Sequence, residues 1–312
     1  MKSYYRVMLG QRSVHADECF AGNFVGTDFD IPQDLTSQLP EEWRVFNKEF
    51  IPVYMATHPH KTKIGAGLAC GALWTVSKGI KKGDVVLCPD GSGKYRVGEV
   101  SGAYYYKPGE ILPHRRPVTW LNVTIDRTAM SGGLQSSAGV PLTVVGPTAI
   151  TNYRQEIENL IGNGPSPVPV VTDGAEIEDS SSFALEKHLE DFLVENWAQT
   201  ELGREYDIYK EDGEPFGKQY PTDTGPLDIL AVSKDKKRLL VVELKKGRAS
   251  DAVVGQTLRY MSYVQEELAE NGQTVLGAIV ALEDDQRIRR ALSMTPSIVF
   301  YRYQVSFKLV KV

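Results

Sequence analysis

The stretch "LDILAVSKDKKRLLVVELKKG", Leu227–Gly247, sets the tightest limit on the fold of this chain. Two apolar runs flank a polar turn around Ser233–Lys237, the pattern of a β-hairpin. The run "LLVVELKKG" is too apolar for a strand at a sheet edge, so the hairpin belongs inside a sheet. Yet Asp228 begins the first run, and Glu243 and Lys245 end the second. A hairpin brings its two ends side by side, and residues two apart on a strand share a face. Two carboxylates and an amine therefore converge at one end of the hairpin. Burying charge without a partner is costly, so the arrangement calls for something to bind it. Oxygen ligands of this kind suit Mg²⁺, which polarises a phosphodiester and lowers the pKa of an attacking water. The lysine can orient or deprotonate that water, or steady charge on phosphorus. An isolated Glu-x-Lys is an ordinary surface ion pair. The apolar flanks and the helices on either side favour a site.

The 312 residues suffice for two domains. The boundary is "NGPSPVPVVTDGAEIEDSSS", Asn163–Ser182, with prolines, glycines, an acidic run and no aromatic residue. It reads as an extended linker between a domain over 1–162 and one over 183–312. Cys19, Cys70 and Cys88 form no CxxC pair, which argues against a disulfide framework or zinc site and for a reducing cytoplasm. No apolar run approaches the length of a membrane span, and the amino terminus has no apolar signal region. The net charge of −5 argues against a uniformly basic nucleic-acid binder while leaving room for a local basic groove.

Past the linker, "LEKHLEDFLVENW" has a helical apolar stripe of Leu185, Leu189, Phe192 and Leu193. Of its acids, Glu186 lies closer to that stripe and Glu190 comes second; His188 points away. "REYDIYK" reads as a strand. "GKQYPTDTG" reads as a polar loop in which Lys218 either touches a DNA phosphate or is an ordinary loop lysine. A helix over "AVVGQTLRYMSYVQEELAEN" puts Gln256 and Tyr260 on one face. "TVLGAIVAL" lacks alternation and reads as a central strand. A short helix and a closing strand follow.

In this order and spacing the motifs resemble the PD-(D/E)XK nucleases of the Mrr/NucS/RecB-like kind. "GPLDIL" resembles their first metal-binding strand, with Asp228, and "VVELKKG" their (D/E)XK strand, with Glu243 and Lys245. "GQTLRYM" resembles the QxxxY helix motif, with Gln256 and Tyr260, and "LEKHLEDFLVENW" the helix that supplies a further acid. The Pro-Asp pair is absent: Pro226 stands one residue too early. The resemblance implies an αβββαβ restriction-endonuclease-like core. It also implies hydrolysis of nucleic acid with Mg²⁺ or Mn²⁺ held by Asp228, Glu243 and Glu186, and Lys245, Gln256 and Tyr260 completing the catalytic set.

Ahead of the linker the pattern is mixed α+β. "EEWRVFNKEFIPVYMATH" has helical spacing, "KIGAGLACGALWTVSKGI" is a small-residue helix, and short strands punctuated by Gly and Pro suggest a barrel or curved sheet. Tyr104–Tyr106, the "HRRP" segment and Trp120 interleave aromatic and cationic groups, as a base-stacking site requires. A barrel with the tyrosines partly in its core and a basic turn outside explains the same residues. The run Gly98-Glu99-Val100, Tyr104, Tyr106, His114–Val118 and Trp120 resembles the EVE/PUA-like modules of modification-dependent restriction proteins. That implies a domain that inspects DNA, with a base flipped into a pocket of Trp74, Tyr104, Tyr106 and Trp120, and with His114, Arg115 and Arg116 on the nucleic acid.

The combined expectation is a cytoplasmic two-domain DNA endonuclease, a modification-dependent restriction enzyme of phage defence. A NucS-like nuclease acting on mismatches, flaps or branches is the alternative, and a non-cleaving DNA-binding protein on a nuclease fold the third reading. Cutting both strands with one site per chain implies a homodimer. Limited proteolysis should cut first within residues 163–182 and release two folded fragments; first cuts elsewhere, mapped by mass spectrometry, would contradict the linker assignment.

Overall fold

The computed structural model describes residues 2–162, 189–211 and 213–304. The chain divides into two compact units, Met1–Val171 and Thr172–Val312. The expected linker, together with Glu186 and His188, lies outside the described residues. Among the described residues no helix is long and apolar enough to cross a membrane.

The amino-terminal unit is built on a curled sheet of β1 (Tyr4–Val7), β2 (Phe24–Thr27), β3 (Val85–Pro89), β4 (Lys94–Val100), β5 (Tyr105–Tyr106), β6 (His114–Asp126) and β7 (Val144–Val145). The order is β2-β6-β4-β3-β1-β7, with β5 also on β6. Only β1 and β3 pair in parallel among these strands. The long β6 bends where its register with β4 shifts between Arg96 and Gly98. A Cβ on Gly98 would lie 2.3 Å from the Val118 side chain, so the close approach needs glycine.

Helix α1 (Ala16–Ala21) packs on this sheet, α2 (Trp43–Thr57) and α3 (Lys63–Trp74) pack on each other, and α4 (Gly132–Ala138), α5 (Thr148–Thr151) and α6 (Arg154–Gly162) come later in the chain. One core gathers Tyr5, Val7, Phe20, Phe24 and Val118. A second joins Phe46, Phe50 and Tyr54 of α2 to Ala66, Ala69 and Leu73 of α3, the small residues letting the helices approach.

The basic segment expected to face DNA lies inside this unit. Arg116 is buried; its Nε donates to the Val76 carbonyl at 2.9 Å and its Nη2 to that of Ser77 at 2.6 Å. Arg115 is buried over the Phe24 ring, 3.9 Å from its centroid, and donates to the Leu112 and Ile111 carbonyls and to Glu110. His114 is fully buried, and burial lowers its pKa. Its Nε2 donates to the Ile31 carbonyl, and its Nδ1 accepts from the Tyr104 hydroxyl, both at 2.9 Å. The phosphate-contact role expected of Arg115 and Arg116 is therefore corrected. Their donors saturate carbonyls at loop and helix ends, which would otherwise be buried unpaired.

In the second unit, residues 189–195 are helical (α7). There follow α8 (Glu201–Glu205), β8 (Tyr206–Ile208), β9 (Lys218–Thr222), β10 (Gly225–Ser233), β11 (Arg238–Arg248), α9 (Ala252–Tyr263), β12 (Thr274–Glu283), α10 (Gln286–Ser293) and β13 (Ile298–Arg302). The sheet order is β13-β12-β11-β10-β8, with β9 also on β10. The hairpin pairs β10 and β11 from Ile229–Val242 to Val232–Leu239, and β12 and β13 add in parallel to β11. "GKQYPTDTG", expected as a loop, instead forms β9 and its turn into β10, so four strands rather than three precede α9.

One face of this sheet packs Leu240, Val242 and Leu244 against Leu193, Trp197 and Leu202. Phe192, expected in the apolar stripe, is 63% exposed. The other face carries α9, which crosses β11 and β12. A Cβ on Gly277 of β12 would meet the Met261 sulfur at 2.8 Å, so glycine sets how closely α9 lies.

Replacing Arg116 by Met should lower unfolding stability by about 1–3 kcal/mol, because two buried carbonyls lose charged donors. Urea denaturation measures this. DNA affinity of the folded variant should equal that of the wild type; selective loss of DNA affinity at unchanged stability would reinstate a phosphate contact.

Candidate active site

The hairpin brings its charges together in the second unit. Asp228 lies just outside the paired stretch of β10 and β11. Its Oδ2 accepts from the Leu244 backbone N–H at 2.8 Å, which fixes the carboxylate against β11. Glu243 is 1% exposed, in the strand flanked by β10 and β12. Lys245, two residues on, donates from Nζ to Glu243 Oε1 at 3.0 Å. Leu244, between them, turns into the opposite core.

α9 supplies the roof. Tyr260 is buried, and its hydroxyl accepts from Gln256 Nε2 at 3.4 Å. Burial raises the Tyr260 pKa; Glu243 and Asp228 add to the rise and Lys245 opposes it. The hydroxyl thus lies within the field of all three hairpin charges. These five residues, expected to form one site, are gathered here.

The helix acid that faces the site is Glu190 of α7, the second candidate from the sequence; Glu186 is outside the described residues. Glu190 is 3% exposed. Its Oε2 accepts from Gln219 Nε2, and the same nitrogen stands 3.2 Å from Asp228 Oδ1. The register of β9 with β10 sets Gln219 opposite Asp228. Gln219 has φ 51°, a left-handed conformation that costs a side-chain-bearing residue roughly 1–2 kcal/mol.

Lys218 Nζ lies 3.2 Å from Glu190 Oε1 and also pairs with Asp191. Burial alone would lower its pKa, but the two carboxylates outweigh this and raise it. Lys218, read from the sequence either as a phosphate contact or as an ordinary loop lysine, is paired here with the acid cluster. Burial, then the charge of Asp228, pushes the Glu190 carboxyl up to about 7. Gln219 and Asp191 were missed in the sequence. The "PTDTGPL" turn between two short runs is a hairpin signal that points to Gln219, because pairing across it brings Gln219 to Asp228.

Among the described residues no group of three His, Cys, Asp or Glu side chains is close enough to hold a metal ion. The donors do fit one in chemistry. Asp228, Glu243 and Glu190 offer hard oxygens, and a divalent cation would offset both the burial and the Asp228 charge that raise the Glu190 carboxyl.

The aromatic candidates of the amino-terminal unit do not converge. Trp74 and Tyr104 pack against the α2–α3 core, Trp74 donating from Nε1 to the Pro40 carbonyl at 2.9 Å. Trp120 packs against the sheet core, edge-on to Phe20 at 5.0 Å. Tyr106 lies 5.0 Å from the His114 ring. These four residues do not line one pocket: Trp74, at the end of α3, and Tyr104 pack against one core and Trp120 of β6 against the other. An open depression of about 580 Å³ is lined instead by Phe24, Tyr105, Lys107, Glu110 and Arg115, among others.

Residues 186–293 match the family model of the endonuclease NucS C-terminal domain, and residues 5–136 match a domain of unknown function, DUF8426. Endonuclease NucS of Pyrococcus abyssi is 26% identical over 195 residues, which span 61% of this chain and 68% of that protein. Among solved structures, a complex of EndoMS with double-stranded DNA is 15% identical with a TM-score of 0.31, over 69% of this chain and 62% of that one. A repair endonuclease from Pyrococcus abyssi is 16% identical with a TM-score of 0.30, over 69% and 66%. This chain thus spans just under two thirds of either solved chain.

Because the Glu190 carboxyl titrates near 7 when folded, against an ordinary value of 4.5, the folded state holds a proton that the unfolded state releases. Stability should therefore fall as pH rises from the lower value to the upper one. In chelator, Glu190→Gln should be more stable than the wild type at pH 8, by up to about 3 kcal/mol, and the gain should vanish by pH 4–5. Urea midpoints across this range check the sign; a loss of stability at pH 8 would contradict it.

Proposed function

We propose that this chain is a metal-dependent DNA endonuclease of the NucS type that acts on mismatched or branched DNA. The observation that carries the reading is the buried Glu243, hydrogen-bonded to Lys245, with Asp228 fixed beside it and Tyr260 above. A protein that only binds DNA has no use for a carboxylate and an amine assembled in the middle of a sheet. The NucS C-terminal match over the residues that hold this set supports the same reading.

Asp228 and Glu243 would hold Mg²⁺ or Mn²⁺, with Glu190 the helix acid. The ion supplies Lewis acidity toward the phosphodiester and a more acidic water. Lys245, tethered by Glu243, would orient that water or steady developing negative charge. Tyr260 and Gln256 would close the site from the helix side. Two cuts need two such sites, so we propose that chains pair on the duplex.

Modification-dependent restriction is the second reading. The amino-terminal unit matches a separate model, so substrate choice need not follow from the nuclease domain alone. The base-reading role first placed on Trp74, Tyr104, Tyr106 and Trp120 would then fall to the depression at Phe24 and Tyr105.

Full-length protein should cut mismatched or branched duplexes with Mg²⁺ or Mn²⁺ and stop in EDTA. Asp228→Ala and Glu243→Ala should abolish cutting while leaving DNA binding largely intact. Cleavage confined to cytosine-modified DNA would select the restriction reading. Cutting in excess EDTA, or by a folded Asp228→Ala variant at the wild-type rate, would overturn the mechanism.

A further inference from the structure

We propose that Gln219 is a positioning residue, whose side-chain amide ties the helix acid Glu190 to the strand acid Asp228 and so assembles the carboxylates for a divalent ion. This rests on the metal-dependent reading above. Nε2 carries two N–H groups, and the structure aims it at both acids: it donates to Glu190 Oε2 and stands 3.2 Å from Asp228 Oδ1. The outer oxygens are engaged elsewhere, Glu190 Oε1 facing Lys218 and Asp228 Oδ2 accepting from Leu244 N–H. The amide is therefore the direct link between the two acids.

Two features separate this from ordinary strand packing. The first is the backbone. Pairing on both sides of Gln219 keeps one register, Tyr220 with Leu227 and Lys218 with Ile229, so no inserted residue demands the left-handed φ of 51°. That conformation is retained by a residue with a side chain, although glycine would adopt it without strain. The second is charge. Lys218 already pairs with Glu190, so a second cation at position 219 would offset the remaining charge and compete with a metal. A neutral amide orders both acids without adding charge. Asn is one methylene shorter, and Ser or Thr has a single donor.

The test uses full-length protein and Mn²⁺ itself as the probe, with binding followed by calorimetry in the absence of DNA, alongside thermal melting and Mn²⁺-dependent cleavage. Gln219→Gly should weaken Mn²⁺ binding by about 10–100-fold, the usual loss when a residue that orients a ligand is removed. Its melting temperature should hold or rise, because the left-handed strain is relieved. Gln219→Met, which keeps the length without the donors, should weaken Mn²⁺ binding similarly. Gln219→Lys should weaken it further while remaining folded. In each variant, cleavage should need correspondingly more metal. If Gln219→Gly and Gln219→Met bind Mn²⁺ as tightly as the wild type, the inference is overturned. It is equally overturned if binding is lost only together with a fall in melting temperature in both variants, which is the signature of a structural role. If the wild type neither binds Mn²⁺ nor cuts DNA, the metal-dependent reading fails, and this inference with it.

Discussion

Glu243 sits in a central strand of its sheet at 1% exposure, with its carboxylate bonded to Lys245 on the same strand. A charge in that position is expensive, and the elements around it limit the expense without cancelling it. Asp228 is pinned by a backbone N–H of the same strand, so its charge stays close to Glu243. β9 brings Gln219 and Lys218 to the far side of the cluster, and α7 brings Glu190. The result is an acid-rich cluster ordered by Lys245 on Glu243, by Lys218 on Glu190, and by the Gln219 amide between Glu190 and Asp228. Glu190 is lifted toward neutral pH, first by burial and then by the charge of Asp228.

The amino-terminal unit uses buried charge in the opposite way. Arg6 is fully buried, and its guanidinium donates to the Leu142 and Val140 carbonyls; burial pulls its pKa down to about 10. Arg115, Arg116 and His114 likewise close on carbonyls of loops and helix ends. Arg6, Arg116 and His114 satisfy backbone acceptors far away in sequence, whereas Arg115 closes on the loop just before its own strand. These groups hold loops to the curled sheet, which leaves little of their charge available to a ligand.

The hairpin of the second unit was legible in the sequence because its signals are local. A polar turn between two apolar runs fixes the pairing, and a period of two fixes which residues share a face. Asp228, Glu243 and Lys245 follow from that alone. Gln256 and Tyr260 follow from helical spacing, although their placement over the hairpin needed the fold. "GKQYPTDTG" was read as a loop because its polar residues outweighed a short strand pattern; β9 forms because β10 offers it a partner. The choice of Glu190 as the acid facing the site also came from packing, since α7 is oriented by Leu189, Leu193 and Trp197 against the sheet while Phe192 turns outward.

By itself, the sequence determined which residues could carry chemistry in the second unit, because strand alternation and turn position are properties of neighbouring residues. It also determined the mixed α+β character of both halves. Only the tertiary structure decided the fate of the charges. "HRRP" looks identical whether its arginines meet phosphates or carbonyls, and the partners of Arg116, Val76 and Ser77, lie on another segment. Whether a polar side chain faces water or the interior depends on which distant backbone groups need a donor, and that is settled when the chain has folded.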